Sequence, residues 1–210
     1  MTPLQELWQA VRKRDAGKLR RVLRERRAEL QGKLDTTDPT TQDQLTALIM
    51  CILGDFRAGV KLLLSEGASI DATTGLGGFT ALFIAAQLGL AKLVRILLSH
   101  GASIDLADNN GGTPLFIAAQ NGHPEVVSLL LEEGANADHA TNVGATALLV
   151  AAEKGHPEVV SLLLEEGANA DLANNDGATP LLIAAQQGHP EVVRLLIAHE
   201  AQLDLVTNNW

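Results

Sequence analysis

The chain has 210 residues, of which 46% are apolar and 20% charged, a balance that excludes an intrinsically disordered protein and allows a sizeable core. Its net charge of −9 is uneven: residues 1–34 hold ten Lys or Arg against four Asp or Glu, whereas residues 35–210 hold six against twenty-one. No apolar run nears the roughly 18 residues of a spanning helix, no basic-then-apolar leader opens the chain, and the single cysteine, Cys51, leaves no internal disulfide, so a reducing, cytoplasmic setting is expected.

Leu4, Leu7, Trp8 and Val11 recur at helical spacing, a break follows near Asp15 to Gly17, and Leu19, Val22, Leu23 and Leu30 resume the pattern. This predicts a helical hairpin over residues 1–34. One side of it is polar and basic, carried by Arg12, Lys13, Arg14, Lys18, Arg20, Arg21, Arg24, Arg26 and Arg27. Such a patch suits the solvated outer face of an end cap, and equally an acidic partner, a phosphoinositide surface or nucleic acid. Nucleic acid is the least favoured of these, because aromatics make up only 3% of the chain and the body is acidic. DTTDPTTQDQ, residues 35–44, reads as a polar, flexible loop.

From residue 45 the sequence is periodic. Leu48, Leu82, Leu115, Leu148 and Leu181 open five similar units, and nineteen residues later stand Gly67, Gly101, Gly134, Gly167 and Glu200. GHPEVVSLLLEEGANAD runs from Gly122 to Asp138, recurs letter for letter 33 positions on from Gly155 to Asp171, and returns blurred from Gly188. Within one unit, Thr113 is placed to cap a first helix, Pro114 sits where its missing N–H does no harm, and Gly122 stops the helix. Pro124 and Glu125 open a second helix, with the carboxylate near its positive end, and Gly134 closes it. Alanine pairs at 118–119, 151–152 and 184–185 keep the first helix thin. The second is apolar at Val126, Val127, Leu129, Leu130 and Leu131, more than one small unit can bury alone. Stacking is therefore obligatory, and the architecture is an all-α repeat solenoid. The segments between units, such as ASIDLADNNGG and ANADHATNVGA, are short and rich in turn formers, which suits projecting β-turn or hairpin fingers.

Candidate chemistry is thin. His123, His156 and His189 form a column, but stacked helices stand roughly 8 to 10 Å apart, whereas metal ligands must all lie about 2 Å from one ion; they read as hydrogen-bonding groups between loops, and the recurring Glu125, Glu158 and Glu191 read as structural too. TTGLGGFT, residues 73–80, lacks the Gly-Lys-Ser/Thr of a phosphate loop and reads as a finger lengthened by one residue. Neither a GxSxG, an HExxH nor a paired-cysteine motif is present. Cys51 reads as a core thiol, since no basic neighbour is placed to activate it. No catalytic residue, metal ligand or cofactor is expected.

The unit NNGGTPLFIAAQNGHPEVVSLLLEEGANAD resembles an ankyrin repeat, whose hallmark is a T-P-L-H-x-A stretch at this period. The resemblance implies repeats at about 45–72, 73–107, 108–140, 141–173 and 174–206, capped by the 1–34 hairpin as a degenerate repeat, with 207–210 starting another finger or forming a tail. TNNW ends the sequence abruptly: either it is cut from a longer protein or Trp210 folds back over the last unit. One departure is systematic, because Phe83, Phe116, Leu149 and Leu182 stand where the family usually has histidine, so apolar packing is expected to replace the family's Thr–His hydrogen bonding.

In the family, partners bind a concave side made by finger tips and exposed first-helix positions. Carried over, this side is Asn109, Asn110, Gln120 and Asn121 in one unit, Asn142, Val143, Glu153 and Lys154 in the next, and Asn175, Asp176, Gln186 and Gln187 in the last. The unit before has Leu76, Phe79, Gln87 and Leu88, apolar where the others are amides and charges, and so a candidate anchor; Phe79 packing its own finger is the competing reading. The implied function is a monomeric, non-enzymatic protein-interaction scaffold or adaptor. Two alternatives stand beside it: a regulatory or targeting part of a larger enzyme or channel, and an anchor to anionic surfaces through the basic hairpin. Repeats resembling these occur in eukaryotic adaptors and in proteins that intracellular bacteria deliver into host cells, and both settings stay open.

Overall fold

The computed structural model describes residues 2–38, 45–75 and 77–202. Most of the expected polar loop (39–44), Leu76 and the 207–210 tail therefore lie outside the described residues. Among the described residues there are thirteen helices and no strand, an all-α repeat fold as the periodicity predicts. The chain falls into two compact units, Met1–Ala85 with Lys92–Ser103, and Ala86–Ala91 with Ile104–Trp210.

The first unit begins with α1 (Pro3–Arg12) and α2 (Ala16–Glu25), followed by a short α3 (Arg27–Leu30) that the hairpin reading did not anticipate. Thr2 and Gln5 form a reciprocal capping box at the start of α1, and Asp15 accepts the Lys18 N–H at 2.8 Å to cap α2. The hairpin turns through Arg14, whose φ of 51° is unusual for a residue with a Cβ. Leu7, Val11, Leu19, Val22 and Leu23 bury the inner side, α1 packs on α4 (Ala47–Leu53), and α2 packs on α5 (Arg57–Ser65). The helices α6 (Ala81–Gln87) and α7 (Ala91–Ser99) follow.

In the second unit α8 (Pro114–Gln120), α10 (Ala147–Lys154) and α12 (Pro180–Gln187) pack in series, as do α9 (Pro124–Glu132), α11 (Pro157–Glu165) and α13 (Pro190–Ala198). The same threonine opens every first helix. Thr46, Thr80, Thr113, Thr146 and Thr179, all buried, accept the N–H three residues on at 3.1 to 3.3 Å. Ala118, Ala119, Ala151 and Ala152 are fully buried, which is what lets α8, α10 and α12 approach closely. Ala185, the counterpart of Ala152 in the last first-helix, is exposed.

Candidate interaction surface

Three ladders of hydrogen bonds hold the frame on which the surface sits. The first runs through the histidine column. His123, His156 and His189 each occupy the N-cap position of a second helix without capping it, so the ring is free to reach back along the stack. Their Nε2 atoms donate to the backbone carbonyls of Gln87, Gln120 and Glu153 at 3.0, 3.1 and 2.9 Å. A carbonyl only accepts, so Nε2 carries the hydrogen in each ring. Each imidazole lies over a glycine: a Cβ built on Gly89, Gly122 or Gly155 would come within 2.8, 2.7 or 2.5 Å of the ring. Those glycines also have φ of 68 to 70°, so backbone and space both demand glycine.

The second ladder joins the bases of the fingers. In the second unit Asp105 accepts the Asn136 N–H at 3.2 Å, Asp138 accepts that of Asn169 at 2.9 Å, and Asp171 that of Gln202 at 2.8 Å. In the first unit Asp35 serves the Ser69 N–H at 2.7 Å and Asp71 the Ser103 N–H at 3.1 Å. The third joins finger tips: the N–H of Asn142 donates to the Asn110 carbonyl at 2.9 Å and its Nδ2 to that of Asn109 at 3.1 Å. Asn175 repeats the pattern one finger on, with its N–H on Val143 and its Nδ2 on Asn142, both at 3.1 Å. Helix pairs with turn fingers, tied at a fixed offset, are thus built by recurring residues in a 33-residue register.

A family model described as Ankyrin repeats (3 copies) matches residues 7–108, 48–141 and 134–209. The chain belongs to the ankyrin-repeat family. No curated protein matches it. The departure noted in the sequence has a structural counterpart in these ankyrin repeats: Phe83 and Leu149 are buried, Phe116 and Leu182 half-buried, and the threonine that precedes each by three residues caps its own helix. The bonds between repeats that run through histidine come from the Gly-His-Pro position instead.

The expected partner-facing residues divide by what the ankyrin frame already does with them. Gln87, Leu88, Asn109, Asn110, Asn121, Lys154, Asp176, Gln186 and Gln187 are exposed. Asn142 and Asn175 are exposed as well, but their side-chain amides are already bonded to the preceding finger. Asn121 donates to the Ile117 carbonyl at 2.8 Å, Lys154 pairs with the half-buried Glu153 at 2.9 Å, and Gln120 is half-buried with its carbonyl taken by His156. Phe79, expected as an anchor, is half-buried: its ring stacks on Phe83 with centroids 4.9 Å apart and covers Gly77, where a Cβ would meet it at 2.1 Å. Its partner is its own repeat, through the π-stacking and area burial that an exposed ring would lack. Leu88 keeps 45% of its surface exposed and Val143 64%. Among the described residues three exposed large apolar side chains were not anticipated: Leu53, Leu106 and Ile197. Leu53, at 49%, stands in the first unit at the register position held by Gln87, Gln120, Glu153 and Gln186, and that register was the available signal.

The basic hairpin is also divided. Arg12 pairs with the buried carboxylate of Asp38, Arg26 with Glu6 and Glu29, Arg27 with Glu66 at 3.3 Å, and Lys18 bonds Gln9. Arg24 approaches Glu25 only to 3.7 Å. Among the described residues no ion pair engages Lys13, Arg14, Arg20 or Arg21, all exposed. Cys51 is buried under Phe56 and Gly59, and burial pushes its thiol up to about 12, away from the thiolate that reactivity needs. Among the described residues no three His, Cys, Asp or Glu side chains gather as metal ligands would, and no helix is long and apolar enough to cross a membrane.

Proposed function

We propose that this protein is a non-catalytic protein-interaction module, built as five ankyrin repeats with the 1–34 hairpin as an end cap, and that it works inside the cell as a scaffold or adaptor. In the second unit the partner would bind the side made by finger tips and first-helix ends. The observation that carries this reading is the exposure of Leu88 and Val143 among amides whose backbone is fixed by the finger and histidine ladders. Apolar groups rimmed by polar ones make interface anchors, and a surface that needs no ordering on binding loses less conformational entropy. Of the polar set, Asp176, Gln186 and Gln187 are exposed, while Asn142 and Asn175 contribute shape through their ladder bonds.

The test is affinity capture with the intact chain and with a Leu88→Glu/Val143→Glu variant, compared by mass spectrometry. Neither side chain packs in the core, so the variant should keep its helicity and unfolding midpoint while losing the captured partner. A partner retained at full strength by the variant would refute this face as the binding site.

A further inference from the structure

In the first unit an exposed leucine is followed by a glycine whose backbone carries a guanidinium that, among the described residues, enters no ion pair. The helix α4 buries Ala47, Leu48, Ile49, Cys51 and Ile52 almost completely, and its last residue, Leu53, is left half in water. In the other first-helices this position is an amide or a carboxylate. The next residue is Gly54, with φ of −88°, a conformation any residue adopts. Its glycine therefore serves space: a Cβ there would lie 3.1 Å from Nε of Arg14, whose guanidinium rests over this backbone. The left-handed conformation comes one residue later, at Asp55, where glycine would have been easier. Asp55 is held in a two-pronged pair by Arg57, both contacts at 3.0 Å, and that hydrogen-bonded pairing raises the Arg57 pKa. Its charge is thereby occupied, and among the described residues no carboxylate lies within ion-pairing distance of Arg14. Lys13 beside it is exposed and adds to the local positive charge.

We propose that this patch recognises a partner protein segment in which a leucine-like side chain stands next to a carboxylate, Leu53 taking the apolar group and Arg14 the acid. The proposal rests on the interaction-module reading and gives it the chemistry of one partner. Charge complementarity selects the acid, since a guanidinium presents a fork that matches a carboxylate in two parallel hydrogen bonds. An anionic bilayer fits less well, because the apolar side of α2 is buried in the fold and Leu53 alone would enter lipid. A second copy could offer Leu106, which is exposed and lies beside Asp105, but that carboxylate is already bonded to the Asn136 N–H.

The experiment is a methyl NMR titration of the full chain, with labelled leucines, against an end-blocked octapeptide holding two leucines between aspartates, at about 50 mM salt. Leu53 methyl signals should shift saturably. A probe with lysines for aspartates, or serines for leucines, should bind at least about tenfold more weakly. Leu53→Gln should abolish the response with an unchanged unfolding midpoint, and Arg14→Gln should weaken it about fivefold and flatten its salt dependence. The Leu88→Glu/Val143→Glu variant should respond as the intact chain does, so failure here and failure of the second unit's face are distinguishable. No Leu53 shift at about 5 mM peptide overturns the proposal, as does an affinity unaffected by Arg14→Gln. Equal shifts from phosphatidylserine vesicles would assign the patch to lipid, and shifts with chain concentration alone would assign it to a second copy; either overturns it.

Discussion

Glycine-to-alanine substitutions along the histidine column separate backbone strain from the histidine contact. Gly122, Gly155 and Gly188 have φ of 69, 70 and 75°, so alanine at any of them meets the same left-handed penalty of about 1 to 2 kcal/mol. At Gly155 the new methyl would also lie 2.5 Å from Nδ1 of His189, which must move and so lose its 2.9 Å bond to the Glu153 carbonyl. That adds roughly 0.5 to 1.5 kcal/mol for the hydrogen bond, with some further loss of packing. At Gly188 no described atom lies within 4 Å of the methyl. Gly155→Ala should therefore cost about 2 to 4 kcal/mol and Gly188→Ala about 1 to 2.

Position in the stack complicates the direct comparison, because the end of a repeat array frays more readily than its middle. A double-mutant cycle removes that difference. In guanidinium unfolding, Gly155→Ala and His189→Ala should be coupled by about 1 kcal/mol, since the methyl no longer clashes once the ring is gone. The distant pair Gly188→Ala and His156→Ala should be additive within about 0.5 kcal/mol. Zero coupling between Gly155 and His189 would refute the argument that the ring's position, and not φ alone, demands glycine.

Three further outcomes follow from the same geometry. Thr146→Ala should destabilise by about 1 kcal/mol, read from the denaturation midpoint, because it leaves the Leu149 N–H without its 3.2 Å acceptor in a buried setting. Asp138→Ala should cost about 1 kcal/mol and speed hydrogen exchange of the Asn169 amide, while a control change at exposed Glu132 leaves that amide protected. The Cys51 thiol has a folded pKa raised from 9.0 to about 12, so its contribution to stability is complete below pH 9 and is lost as pH rises from 9 to 12. Cys51→Ala should remove that part of the alkaline decline, at most about 4 kcal/mol, and thiol labelling at pH 8 should be slow until denaturant is added.

The fold was legible because its signals are local or strictly periodic. Thr113, Pro114, Gly122 and the Gly-His-Pro turn act within a few residues of themselves, and their spacing of 33 names the stack. The surface was less legible because a side chain's employment depends on contacts that the linear order does not display, some within its own repeat and some one repeat away. Asn142 looks available in a list of amides, yet its Nδ2 is bound to the carbonyl of Asn109. Phe79 reads in the sequence either as an anchor or as packing for its own finger, and only the structure shows its half-buried ring stacked on Phe83 and lying over Gly77. The pairing of Arg12 with the buried Asp38 bridges 26 residues outside the repeat register, so periodicity could not indicate it. Leu53 is different: the register does assign its place, and only its unlike composition hid it.

At least one end of every bond in the three ladders is supplied by the backbone, as carbonyl acceptor or N–H donor, and two finger-tip bonds are backbone at both ends, so the side chains required are only His, Asp or Asn at one register position each. A finger-tip side chain that enters none of these bonds can change without altering the ladders, whereas Gly111 and Gly144 cannot, since a Cβ there would press on Asn142 and Asn175 of the next finger. Val143 and Asp176 illustrate this, being aligned 33 residues apart on adjacent fingers and both exposed, one apolar and one charged. The carbonyl of Val143 receives the Asn175 N–H whatever side chain it carries. Val143→Asp should therefore leave the unfolding free energy unchanged within about 0.5 kcal/mol, while reducing binding of any partner that uses the exposed valine. If the substitution destabilises the chain by more than about 1 kcal/mol, the separation between frame and recognition surface fails at that finger, and specificity there cannot vary independently of the fold.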